Sequence, residues 1–95
     1  MKVTLSRDAV REAREAREWY QNAAENLAME FDARLAAAID QIRSAPLRWP
    51  IFKDSVRFRL LQQFPYTVFY RVHDDEIFVV AIAHSKRRPG YWSRR

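Results

Sequence analysis

The sequence predicts an α+β fold: an N-terminal strand, an antiparallel helical hairpin, then a three-stranded antiparallel meander. Together the strands form one mostly antiparallel, four-stranded sheet with the helices on one face. Three observations predict it. Apolar residues recur with helical spacing between Ser6 and Pro46. From Val56 onward they alternate, or run unbroken, over strand-sized stretches. Turn-forming residues separate those stretches at Phe64-Pro65 and at His73-Asp74-Asp75-Glu76. The 95 residues are read as one domain, 1–95, near the lower end of the usual size range.

Met1–Leu5 alternates apolar and polar residues, as a short half-buried strand does, and its pairing within the sheet stays open. Ser6 suits a helix N-cap, because its hydroxyl can accept from a free amide of the first turn. Asp8 then adds negative charge near the positive end of the helix dipole. Ala9, Ala13, Ala16 and Tyr20 share one face of this helix, and the small residues allow a neighbouring element close. Arg11/Glu15 and Arg14/Glu18 are i, i+4 pairs on a solvated face, each contributing ~0.2–0.5 kcal/mol. Gln21-Asn22-Ala23 reads as a break, with Asn22 suited to a left-handed turn.

A second helix carries Leu27, Phe31, Leu35, Ala38 and Ile42 as one apolar stripe, widened by Ile39. Pro46 stops it, since proline lacks an amide hydrogen and biases Ala45 away from helix. Residues 46–55 read as a crossing loop whose Trp49 and Phe52 plug it onto the core. Val56, Phe58 and Leu60 alternate with Arg57 and Arg59. If the apolar set faces the helices, both arginines project from the other face. On the next strand Tyr66, Val68, Tyr70 and Val72 share one face, with Thr67, Phe69, Arg71 and His73 on the other. Ile77–Ala83 is apolar without alternation, so both faces are covered and the strand is internal. Pro89-Gly90 turns the segment that follows, and Tyr91-Trp92 fold it back as packed anchors.

Composition excludes several classes. There is no cysteine, so neither disulfides nor thiolate metal sites exist, and no cofactor is expected. The two histidines, His73 and His84, have no metal-ligand spacing. One glycine leaves no Gly-rich phosphate loop. No long apolar run marks a leader or membrane span, so the expected compartment is the cytoplasm, with no membrane partner.

Charge is unevenly placed. Residues 1–55 hold nine Lys/Arg and nine Asp/Glu, whereas residues 56–95 hold eight against three, which accounts for the whole net charge of +5. His84–Arg95 contains Lys86, Arg87, Arg88, Arg94 and Arg95 and no acid. Like charges concentrated without local acids repel one another, so this segment marks a surface that meets something anionic. Together with Arg57 and Arg59 these five cations are the candidate effector or phosphate contacts. The competing reading of the arginine pair is that it meets acidic residues of a protein partner. Arg71 and His73 read as a polar strand face. His84, at a strand end, reads as a hydrogen-bonded structural residue or as an acid–base group, since histidine titrates near pH 6.5.

The order strand–helix–helix–strand–strand–strand resembles the RelE/ParE superfamily of bacterial toxins. The resemblance rests on Phe64-Pro65-Tyr66-Thr67-Val68-Phe69-Tyr70-Arg71-Val72, the acidic turn, the apolar strand and the ending His84–Trp92. Trp19-Tyr20 and the run Ile42…Pro46…Trp49-Pro50 are similar too. The resemblance implies a toxin of a type II toxin–antitoxin pair, in hetero-oligomeric complex with a cognate antitoxin whose C-terminal segment folds onto it. That segment is expected to bring acidic and apolar residues and to order on binding.

Two effector activities are known in the superfamily: RelE-like members cut mRNA in the ribosome, and ParE-like members inhibit DNA gyrase without being nucleases. Attack by a 2′-hydroxyl needs a base, an acid and cations for the phosphorane charge. Likeness to RelE would make His84, Lys86, Arg88 and Tyr91 the catalytic candidates. Several RelE-like enzymes carry an arginine directly after the tyrosine that opens the third strand, where this chain has Thr67. That departure, and the ending with Pro89 and Trp92, favour the ParE-like branch. A third reading, a non-toxic basic nucleic-acid-binding module, lacks the usual signatures of aromatic RNA-binding motifs, helix-turn-helix glycine or zinc ligands.

Overall fold

A computed structural model describes residues 1–95. Strand β1 (Lys2–Leu5) leads into helices α1 (Arg7–Ala23) and α2 (Glu25–Ser44). Strands β2 (Ile51–Lys53), β3 (Val56–Leu60), β4 (Tyr66–His73) and β5 (Glu76–His84) follow. The sheet has five strands in the order β1-β5-β4-β3-β2, one more than expected. The extra strand is β2, which lies in the stretch read as a loop and pairs antiparallel with β3 around Asp54-Ser55. β1 pairs parallel with β5, from Lys2 opposite Glu76 to Leu5 opposite Val79, and the other pairings are antiparallel. β5 is therefore internal, as its apolar sequence requires.

Local chemistry sets the boundaries. Ser6 caps α1 by accepting from the Ala9 amide at 3.0 Å, and its own hydroxyl donates to the Val80 carbonyl at 2.9 Å. The helices are joined by one residue, Ala24, in extended conformation (φ −167°). Asn22 stays inside α1, which corrects the expected left-handed break there. The helices fold back on each other through stacked Tyr20 and Phe31 and an Arg17–Asp32 ion pair of 2.7 Å. Asp54 and Asp74, both at φ 52°, turn the two hairpins. Aspartate tolerates that region because its short polar side chain bonds to nearby backbone.

Two separate clusters lie on opposite faces of the sheet. The first joins Ala9, Ala16, Phe31, Ala38 and Ile42 of the helices to Leu61, Phe64, Val68, Tyr70, Ile77, Val79 and Ile82. The second comprises Val56, Phe69, Val80, Ala81, Ala83 and Trp92, with no helical residue. β5 supplies both clusters through a bulge. Phe69 opposes Ala81 and Tyr70 opposes Val79, so Val80 is the extra residue and follows Ala81 onto the second face.

The second cluster reverses one expectation. Val56 and Phe58 turn away from the helices, and Arg57 and Arg59 turn toward them. Arg57 donates to the carbonyls of Leu47 (3.1 Å) and Trp49 (2.6 Å). Arg59 donates to Gln41 of α2 at 2.9 Å and stacks on Trp49 at 4.2 Å. The physical reason is a second apolar cover, residues 85–95, which takes the face that the alternation alone left to solvent. Trp49 and Phe52 are likewise divided: Trp49 packs against the helix-side cluster, and Phe52 meets Phe58, Phe69 and Trp92 on the other face.

Candidate functional site

The basic segment begins where β5 loses a neighbour. β1 ends opposite Val79, so beyond that point the outer edge of β5 has no strand beside it. An open ladder leaves backbone groups to be satisfied by other means. Here side chains do it. Ser6 and Arg95 donate to the Val80 carbonyl, and the Ile82 amide donates to Glu12 Oε1 at 3.0 Å.

Glu12 is the centre of this arrangement. It is only 8% exposed and is the one charged residue buried in the fold. Besides the Ile82 amide it accepts from Arg95 at both oxygens, at 2.8 and 3.0 Å, and from the Tyr91 hydroxyl. Arg95 also reaches Asp8 at 3.5 Å, and its carbonyl accepts from Arg71 at 3.3 Å. A buried carboxylate is tolerable only when paired and fully hydrogen-bonded, and all these donors serve that end. Burial and the bond to Glu12 hold the Tyr91 phenol protonated, well above its ordinary range. The bond to Glu12 likewise raises Arg95, against the opposing effect of burial.

Between β5 and this clasp the chain turns across the second face. His84 Nδ1 accepts from the Lys86 amide at 3.0 Å, and the His84 ring stands edge-on to Tyr66 at 5.0 Å. Gly90 takes φ +76°, a conformation that side chains rarely adopt, and a Cβ there would meet Ser93 Oγ at 3.2 Å. Trp92, 4% exposed, then drops onto Phe69 (4.8 Å) and Phe52 (5.7 Å). Arg87 stacks on the Tyr91 ring at 3.8 Å.

The structure brings His84, Lys86, Arg87, Arg88 and Tyr91 into one short segment. Lys86, Arg87, Arg88 and Arg94 are exposed, whereas Arg95 is tied to Glu12 and Asp8. Arg57 and Arg59 are not part of this group, because they lie on the helix-covered face. The expectation of one common surface of both arginines and the tail is corrected by that facing. A cleft of about 210 Å³ separates the segment from α1, lined by Ala16, Trp19, Tyr66, Ile82, His84 and Tyr91. Trp19 stands at its rim, 71% exposed.

Chemically, this is a surface of exposed cations held at its two ends by His84 and by the Trp92–Glu12–Arg95 contacts. Its tyrosine is engaged as a donor to Glu12, and its histidine accepts at Nδ1 from the Lys86 amide. No cluster of histidine and acidic residues is placed to hold a metal ion. No helix is long and apolar enough to cross a membrane. Glu12 was not legible as a site residue because it sits in a run of charges. The available signal was its place at i+3 from Ala9 and i−4 from Ala16, on the buried alanine stripe.

The model of a family described as the ParE toxin of the type II toxin–antitoxin system, parDE, matches residues 3–89. No curated protein matches the chain in sequence. Among solved structures, the chromosomal ParDE TA system from P. aeruginosa contains a chain that superposes with a TM-score of 0.79 at 17% identity. The superposition covers 90% of this chain and 97% of that one. At that identity the likeness shows the fold.

Proposed function

Because the chain belongs to the ParE toxin family of type II toxin–antitoxin systems, we propose that it acts as an inhibitor of DNA gyrase. Its exposed cations Lys86, Arg87, Arg88 and Arg94 are the proposed target contact. A cognate antitoxin neutralises it through an acidic and apolar segment that orders on the toxin. The observation that carries the non-nuclease reading is the engagement of Tyr91. Its hydroxyl donates to buried Glu12 and its pKa is raised by burial and that bond, so it is a poor general base or acid near neutral pH. Thr67, in the place of the arginine that several RelE-like enzymes carry, supports the same reading.

The test is induced expression without the antitoxin, with DNA and protein synthesis pulse-labelled separately. DNA synthesis should stop first while translation continues, and the purified protein should inhibit supercoiling by gyrase. If translation stops first, the proposal fails in favour of a ribosome-dependent mRNA endonuclease. His84, Lys86, Arg88 and Tyr91 would then be replaced singly and mRNA cleavage measured. Salt-dependent binding to arbitrary duplex DNA with no growth arrest would instead mark a plain nucleic-acid-binding module.

A further inference from the structure

The geometry points to Glu12 as the positioning residue of the effector segment: its carboxylate ties the vacant edge of β5 to Tyr91 and Arg95 and so fixes how Lys86–Arg94 is presented. This rests on the reading of that segment as the target contact. Three observations carry it. First, Glu12 binds partners 70, 79 and 83 residues away in sequence, all of them on β5 or after it. Second, it takes the place of a missing strand by accepting the Ile82 amide, so it is anchored to the sheet as well as to the tail. Third, the exposed cations are framed by fixed points. His84 holds the Lys86 amide on one side, and Trp92 and the clasp hold the other.

Between those points the chain makes single-turn bonds only, from Arg87 to His84, Tyr91 to Arg88, Ser93 to Gly90 and Arg95 to Trp92. Bonds this local give little long-range order. A set of four cations also repels itself, which favours a released, spread chain once the clasp is lost. Ordered presentation matters because loops fixed before binding bind more tightly than loops that must be ordered on contact. Glu12 itself is buried and touches no target. It acts through Tyr91 and Arg95.

The test compares full-length wild type with Glu12→Gln, Arg95→Met and the double variant Glu12→Gln/Arg95→Met. Three readouts are taken: trypsin cleavage after Arg87 and Arg94, inhibition of gyrase supercoiling, and affinity for the antitoxin. Glu12→Gln takes from the partly buried Arg95 guanidinium its two-oxygen charge partner and leaves it only the longer contact to Asp8 at 3.5 Å. It should shift the tail toward release by about a hundredfold, read as faster cleavage. Inhibition should weaken by about tenfold or more, with antitoxin affinity kept. The double variant removes the partly buried guanidinium together with the carboxylate, and so folds even if Glu12→Gln does not. It should show the same freed tail and weak inhibition, with the two substitutions non-additive.

A protected tail in Glu12→Gln and in the double variant overturns the inference. So does a freed tail with undiminished inhibition, and so does inhibition falling only in step with antitoxin affinity, which would mean general destabilisation. If wild type itself does not inhibit gyrase, the functional reading fails, and the cleavage arm still decides whether Glu12 holds the tail.

Discussion

The two faces of the sheet are closed by different means. On one, two amphipathic helices supply Ala9, Ala16, Phe31, Ala38 and Ile42 to a cluster of twelve buried residues. On the other, residues 85–95 cross without a helix or strand and bury one side chain of their own, Trp92. The first face is held by many small increments spread over a periodic surface. The second depends on one aromatic anchor and one buried carboxylate. The difference teaches that an irregular segment can finish a core when its few contacts are specific, at the cost of concentrating all its stability in them.

The largest effect expected is from cutting each face at its anchor. Phe31 packs against Tyr20, Phe64 and Tyr66, with ring centroids 5.3–5.6 Å away. Phe31→Ala should cost about 3–5 kcal/mol and lower the denaturant midpoint of the whole domain. Trp92→Ala removes comparable burial, yet its loss should stay local. Hydrogen exchange at the Ile82 amide should quicken while α2 keeps its protection. If Trp92→Ala unfolds the helices as readily as Phe31→Ala does, the two faces are one cooperative unit and the contrast is broken.

Next in size are the buried phenols, one on each side of the contrast. The Tyr70 hydroxyl donates to the Pro46 carbonyl at 2.6 Å, tying the sheet to the end of α2. Burial pushes its pKa from 10.0 up to about 12, only partly offset by Arg57. The folded state thus holds its proton above the pH at which the unfolded chain releases it. The stability this gives is complete below pH 10 and is lost as pH rises through 10 to about 12. Tyr70→Phe should cost about 1–2 kcal/mol at neutral pH. It should also flatten the alkaline fall in the denaturant midpoint, measured at intervals across that window. Tyr91, raised in the same direction, should give a matching alkaline loss in tail protection and not in helix stability.

Smaller effects sharpen the boundary between the faces. Ser6→Ala removes the α1 cap and the bond to Val80 together, and should lower thermal stability by ~1 kcal/mol. Glu18→Ala breaks only an exposed pair with Arg14 at 4.0 Å and should change stability by no more than ~0.5 kcal/mol.

Much of the fold is legible in the residues. The stripe Phe31–Ala38–Ile42, the alternation Tyr66–Val68–Tyr70 and the unbroken run Ile77–Ala83 mark the two-helix, multi-strand arrangement and the internal strand. What escapes has a physical reason in each case. β2 is three residues long and follows a proline, too short for any period to show. The facing of Val56 and Phe58 cannot be decided by alternation when both faces are covered, because alternation names two sides and not which is which. The clasp escapes because Glu12 pairs with residues up to 83 positions away, and only the folded chain brings them together. The basic segment itself was plain from charge alone. Its division into exposed Lys86–Arg88 and bound Arg95 was not.

The long reach of that clasp also orders events during synthesis. Residue 12 leaves the ribosome early, but its partners at 82, 91 and 95 follow 70, 79 and 83 residues later, and the β5 residues that pair with β1 are made long after it too. At roughly 5–20 residues per second, Glu12 waits on the order of ten seconds for Arg95. Helices α1 and α2 can form during that interval, while the outer edge of the sheet and the display of cations cannot. Until Arg95 emerges, the segment Lys86–Arg94 has no clasp to hold its cations in place.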